Sequence, residues 1–144
     1  MNNEEAIQKY IEHLIKVCPQ LTELALLKYR EALTVTRLKK RDVYIKSGSI
    51  QQQGGFLVSG LIRAYRIDEE GNDHTISFIP ENDYCVHYES FVAQKASLLN
   101  FECLEPCTIV NFSYDHFNFI HVRFPVYQEY LLSLIHISEP TRPY

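Results

Sequence analysis

GGFLVSGLIRAYRIDEEGNDHTISFI, residues 54–79, is a pair of β-branched and aromatic runs around an acidic break. Asp68-Glu69-Glu70-Gly71-Asn72 reads as a hairpin loop in which Gly71 supplies a positive φ. On the return run, alternation predicts His74, Ile76 and Phe78 on one face and Thr75 and Ser77 on the other. Gly54-Gly55 and Gly60 punctuate the outgoing run and predict bends at the corners of a sandwich. The texture continues on both sides. VTRLKKRDVYIKSGSI (35–50) and CTIVNF (107–112) are further short runs separated by turn residues. Together these segments predict an antiparallel all-β sandwich or barrel.

Helices flank the β region. Ile7, Tyr10, Ile11, Leu14 and Ile15 repeat at helical spacing, with Asn2 or Asn3 as cap and Glu4 and Glu5 at the positive end of the dipole. Cys18-Pro19 ends that helix, because proline disfavours helical geometry in the residue before it. Thr22 caps a second, shorter helix whose predicted apolar face combines Leu21, Leu24, Ala25 and Leu27. Beyond the β region Ser113 caps a third helix, with Asp115 in its first turn. Tyr114, Phe117, Ile120 or His121, and Phe124 mark its face up to Pro125. LSLIHISEPTRPY (132–144) reads as the in-frame translation of a transposon-type sequencing adapter, so fold reasoning stops at Leu131.

Composition narrows the function classes. The 144 residues carry 14 Lys and Arg against 18 Asp and Glu, a net charge of −4, and are 46% hydrophobic. That balance excludes a disordered acidic tail, a collagen-like repeat and a disulfide-dense miniprotein, and it has the wrong sign for a whole-chain polyanion binder. The opening MNNEEAIQKYIEHLIK lacks the basic start and unbroken apolar stretch of a secretory signal. No apolar run reaches the roughly 20 residues that span a bilayer. The chain therefore reads as cytoplasmic. Its four cysteines are too few and too irregular for a disulfide framework.

Four stretches carry a family resemblance: LKKRDVYIKSGS (38–49), GFLVSGLIRAYRIDEEGNDHTISFIPENDYC (55–85), ESFVAQKASLLNFECLEPCTIV (89–110) and FSYDHFNFIHVRFP (112–125). In this order and spacing they resemble the sensor domain of Crp/Fnr-type bacterial transcription regulators, a cyclic-nucleotide-binding-like β jelly roll. The resemblance implies a mainly β fold with helices at the N-terminus and after the roll, spanning residues 1–131. It also implies a small-molecule effector, a homodimer in the full-length parent and no cofactor. DNA would be read only through a C-terminal winged helix-turn-helix outside this chain, reached by a dimer helix that starts at 125–131.

In such binders a short helix and an arginine take the ligand's phosphate, and a glutamate takes its ribose. Here the matching segment supplies Tyr84, Tyr88, Glu89, Ser90, Lys95 and Ser97 as candidate ligand contacts. Glu89 sits a residue or two out of register, and the arginine position falls at Ser97 or Leu98. Lys95 offers a point charge but no bidentate fork. Cyclic AMP and cyclic GMP are therefore not the expected ligands. Tyr65, Phe78, Tyr84 and Tyr88 are the candidate lining of an apolar interior that takes another effector.

Three other chemistries compete. His74, His87 and Glu89 are the ligand set offered for a cupin-like metal enzyme or binder, with His87 and Glu89 two apart on a predicted strand. His13, His116 and His121 fall on predicted helices and His136 in the tail, and no His-x-His pair accompanies them. Cys103 and Cys107 lack the four close thiolates of an iron–sulfur cluster; Cys103 reads as a small apolar strand residue and Cys107 as semi-exposed. Arg37, Lys39, Lys40 and Arg41 form a basic run that reads as a solvated strand edge rather than a nucleic-acid patch.

Overall fold

In the computed structural model of the chain, which describes residues 1–123 together with 129, 132 and 133, two helices lead into eight strands and a closing helix. The order is α1 (Asn3–Val17), α2 (Glu23–Ala32), β1 (Thr34–Leu38), β2 (Val43–Ile45), β3 (Gln53–Ser59), β4 (Ile62–Ile67), β5 (Asp73–Ile79), β6 (Tyr84–Cys85), α3 (Tyr88–Phe91), β7 (Asn100–Cys103), β8 (Cys107–Ser113) and α4 (Tyr114–Arg123). The strands form two antiparallel four-stranded sheets, β1-β8-β3-β6 and β2-β7-β4-β5. Of the expected dimer-helix start at 125–131 and the tail at 132–144, only residues 129, 132 and 133 are described, each of them helical; the rest lies outside the described residues.

The caps behave as the side chains dictate. Asn2 Oδ1 accepts the Glu5 N–H at 2.9 Å, Thr22 Oγ1 accepts the Ala25 N–H at 3.1 Å, and Ser113 Oγ accepts the His116 N–H at 3.0 Å. The helix faces are rotated from those predicted. α1 buries Ala6, Tyr10, Ile11 and Leu14 and leaves Ile15 exposed. Tyr10 is the reason: its ring packs at a tilt against Phe56, 4.8 Å between centroids, and stacks on Phe112 at 6.1 Å, and the largest ring sets the centre of the face. α2 likewise buries Ala25 and Tyr29, while Leu24 and Leu27 face solvent.

Two apolar layers result. Between the sheets lie Ile45, Leu57, Ile62, Ala64, Leu99, Phe101 and Ile109, with Cys85, Cys103 and Cys107. On the outer face of the first sheet, α1, α3 and α4 cover an aromatic layer of Tyr10, Phe56, Tyr84, Phe91, Phe112 and Phe117. β3 is consequently buried on both faces, and Phe56, Leu57 and Val58 are inaccessible in succession.

Gly54 and Gly55 lie inside β3 rather than at corners. A Cβ on Gly54 would sit 2.3 Å from the Phe112 ring, and one on Gly55 would sit 2.6 Å from both Ile109 Cγ2 and the Tyr44 hydroxyl. Their smallness is required by close approach on the two faces of the strand. Gly71 takes φ +87 in the β4–β5 turn, as the hairpin demands.

The β4–β5 register departs from simple alternation. Ala64 pairs with Ser77 but Tyr65 pairs with Thr75, so Ile76 is an extra residue in β5. This bulge resets the phase. Ile76 packs on the inter-sheet layer and Ile79 is buried in it, whereas Phe78 is 57% exposed on the outer face opposite Arg63. Phe78 therefore does not line the interior.

Candidate functional site

The segment between β6 and β7 is pinned at its entry by β3. Asn82 N–H donates to Leu57 O at 2.7 Å, and Leu57 N–H donates to Asp83 O at 2.9 Å. β6 then pairs Tyr84 with Phe56 and Cys85 with Gly55. The chain turns through Val86 and His87 into the single-turn α3, where Phe91 N–H meets His87 O at 2.9 Å and Val92 N–H meets Tyr88 O at 2.8 Å. Gln94, at φ +55, ends the turn.

A buried glutamine network ties this segment to the linker between β2 and β3. Gln51 is 5% exposed; its amide N donates to Gln53 O at 2.7 Å and to Cys85 O at 3.1 Å, and its Oε1 accepts the His87 N–H at 2.9 Å. Ser90 Oγ accepts the Gln51 backbone N–H at 2.8 Å. Gln94 Nε2 donates to Phe91 O at 2.7 Å, Gln51 O at 3.1 Å and Ser90 O at 3.3 Å. Farther along, Ser97 N–H donates to Ser49 O at 2.7 Å and Gly48 N–H donates to Ser97 O at 2.8 Å. Among these bonds the one to the His87 N–H takes the donor immediately ahead of α3, so that group is not free to meet a ligand. Beside the linker lies a half-open cleft of about 230 Å³ lined by Tyr44, Ile45 and residues 49–53. The Tyr44 hydroxyl there donates to Asn111 Oδ1 at 2.6 Å, and burial pushes its pKa up.

The sequence-predicted residues fall in different environments. Ser90 and Ser97 are buried, and the Ser97 hydroxyl is spent on Leu99, donating to its carbonyl at 2.8 Å and accepting its N–H at 3.1 Å. Glu89 and Lys95 are exposed. Tyr84 lies in the helix-side aromatic layer, its ring at a steep angle to Tyr10 and Phe56, with its pKa raised by burial. Tyr88 packs on the same layer, and Tyr65 lies under the Arg63 guanidinium on the outer face of the second sheet at 4.0 Å. None of the four aromatics expected in the interior, Tyr65, Phe78, Tyr84 and Tyr88, belongs to the inter-sheet layer.

The metal alternative finds no geometry. His87 and Glu89 flank the start of α3 rather than share a strand face, and His74 is on β5, its Nε2 2.7 Å from Asp68 Oδ2. Among the described residues no group of three or more His, Cys, Asp or Glu could hold a metal ion. Cys107 is buried at 2% exposure, not semi-exposed, and donates its thiol to Glu105 O at 3.2 Å. Burial, reinforced by the neighbouring Cys107, pushes the Cys103 thiol up to about 12, so both thiols stay protonated and unreactive at neutral pH.

The basic run is part strand and part turn. Arg37 donates to Asn3 Oδ1 at 2.5 Å and to Met1 O at 2.9 Å, tying the N-terminus to β1. Lys39 and Asp42 close a tight turn in which Arg41 takes φ +78.

Residues 35–123 match the family model described as the cyclic nucleotide-binding domain. The chain belongs to the cyclic nucleotide-binding domain family. Solved members show the same fold at low identity. The sensor domain of the transcriptional regulator DNR from Pseudomonas aeruginosa aligns with a TM-score of 0.76 at 15% identity, over 92% of this chain and 90% of that one. The Thermus thermophilus catabolite activator protein gives 0.72 at 14%, over 87% of this chain and 57% of that one. The regulatory subunit of a cAMP-independent protein kinase A from Trypanosoma cruzi, bound to guanosine, gives 0.68 at 14%, over 98% and 54%. This cyclic nucleotide-binding domain thus spans little more than half the length of the latter two. No curated protein sequence matches the chain.

Sequence reading did not single out Gln51, Gln94 or Arg66. Gln51 stands between the motif stretches, signalled only by the run Gln51-Gln52-Gln53 before an apolar strand, and Gln94 lies inside the third stretch beside the candidate Lys95 with nothing local to mark it. Arg66 was legible: it occupies the phase of Ile62 and Ala64, the inward positions of β4.

Proposed function

We propose that this domain is the effector-sensing and dimer-supporting half of a Crp/Fnr-like transcription regulator, that it is no enzyme, and that it does not take cyclic AMP or cyclic GMP. Its DNA would be read by a winged helix-turn-helix outside these 144 residues, and its dimer helix would begin at 125–131, before an adapter-derived tail. The likeness to the DNR sensor domain over nearly the full length of both chains supports the class. No helix among the described residues is long and apolar enough to cross a membrane, which agrees with a cytoplasmic regulator.

One observation carries the ligand reading. At the positions where the resemblance calls for an arginine, Ser97 turns its hydroxyl onto Leu99 and Leu98 is an exposed apolar residue, while the His87 N–H just ahead of α3 is taken by Gln51 Oε1. A phosphate placed there would meet neither a guanidinium fork nor an open His87 N–H. Each charge-assisted bond contributes about 1.5–3 kcal/mol, so losing a bidentate pair weakens binding by about a hundredfold or more. The six candidates Tyr84, Tyr88, Glu89, Ser90, Lys95 and Ser97 then act by framing the segment that shifts when an effector enters, which tilts the helix leading to the DNA-reading heads. Isothermal titration calorimetry with cyclic AMP and cyclic GMP tests the reading. Absence of saturable binding in the micromolar range is expected, and micromolar binding of either nucleotide overturns it.

A further inference from the structure

Two arginines three residues apart on β4 meet opposite fates. Arg63 faces outward and is fully engaged. Its Nη1 and Nη2 grip Asp73 at 2.8 and 3.0 Å, Nη2 also reaches Glu102 at 3.1 Å, Nη1 reaches Thr75 at 3.1 Å, and the plane stacks on Tyr65. Arg66 has the parity of Ile62 and Ala64, both wholly inaccessible in the inter-sheet layer, so it projects from the inward face. Its Nε is buried and has no hydrogen-bond partner. The charged groups near it are already committed: His74, opposite Arg66 across the β4–β5 pair, is 2.7 Å from Asp68, and Asp68 also accepts the Glu70 and Asn72 N–H groups at 3.0 and 2.8 Å. Among the described residues no carboxylate is within ion-pair distance of Arg66. A buried guanidinium N–H without an acceptor is costly, and its fork geometry is matched by a planar or tetrahedral oxyanion.

We propose that Arg66, and not the segment between β6 and β7, anchors the oxyanion of a small-molecule effector on the inward face of the β4–β5 hairpin. This relocation explains how a domain of this family can sense an anionic molecule while Ser97 or Leu98 stands at the expected arginine position and Lys95 is exposed. It rests on the sensor reading above, and the test separates the two.

The ¹⁵N-labelled full chain is titrated with inorganic phosphate, succinate and cyclic AMP while the Arg66 Nε–H signal and the backbone amides are followed by NMR. A saturable shift of the Arg66 Nε–H with phosphate or succinate is expected, and the stronger probe assigns the anion as phosphate or carboxylate. Arg66→Gln should weaken that binding by about tenfold or more, and Arg66→Lys, which keeps the charge but loses the fork, by less. Equal binding by wild type and both variants overturns the inference and leaves the sensor reading intact. Absence of any saturable shift overturns it as well. Tight cyclic AMP binding that moves the amides of residues 86–92 and survives Arg66→Gln overturns both.

Discussion

The two sheets of the roll are built from strands of similar length, yet one is covered on both faces and the other on one. β3 and β8 of the first sheet run between the inter-sheet layer and the helices, and they read as buried, mostly apolar stretches, FLV and IVNF, whose one polar residue, Asn111, is satisfied by Tyr44, Thr34 and Thr36. β4 and β5 of the second sheet turn one face to water, where Arg63, Asp73 and Glu102 form an ion-pair network. A strand buried twice carries its fold information as composition and advertises no phase. A strand buried once carries it as alternation, and one inserted residue, Ile76, is enough to move the phase of everything after it.

The largest test of this contrast pairs two phenylalanines. Phe56→Ala removes a ring at the centre of the helix-side layer and should cost about 3–5 kcal/mol in chemical denaturation. Phe78→Ala, on the wet face of the second sheet, should change stability by no more than about 0.5 kcal/mol. Similar costs for the two would mean that the second sheet is covered on both faces, and the contrast would fall.

A middle-sized effect probes the junction where both sheets meet the linker. Gln51→Ala leaves the buried His87 N–H and the Cys85 carbonyl without their present partner, at a cost of about 1–3 kcal/mol. Hydrogen exchange of the His87 amide should quicken while exchange in β4 and β7 stays unchanged. Uniform quickening across both sheets would show that the network holds the whole roll rather than this segment.

The smallest effect is a pH dependence confined to the helix-covered side. The ring of His13 of α1 packs at a tilt against Phe56 at 4.6 Å, and burial lowers its pKa from 6.5, opposed by the Asp83 charge and aided by Lys16. His116 of α4 is lowered by burial as well. Because the folded pKa lies below the unfolded one, the unfolded chain takes up the proton first. The stability involved is fully present above about pH 6.5 and is lost as pH falls through the lower, folded value. Urea denaturation from pH 7.5 to 5 should therefore show falling stability, with part of the slope removed by His13→Phe. An unchanged slope in that variant would move the sensitivity elsewhere.

Caps and breaks were readable because they are local: Asn2, Thr22 and Ser113 each act on an N–H three residues away. The β class and the hairpin turn at Gly71 were readable for the same reason, since alternation and positive φ are properties of a few adjacent residues. The faces of α1 and α2 were read less well, because which of several apolar residues turns inward depends on ring packing against a distant strand. The candidate site was legible only as a segment. Ser97 could be named from its place in the motif, but what its hydroxyl does depends on Leu99 folding back, and the role of Gln51 depends on His87, 36 positions away.

Local order in the chain is enough for the element types, the turn chemistry and membership of a β roll with helical flanks. Three-dimensional packing assigned the rest: which aromatics face the helices, why β3 needs two glycines, and where the two β4 arginines point. Those outcomes follow from short-range contacts between residues far apart in the chain, and such contacts leave no periodic mark in either partner's neighbourhood.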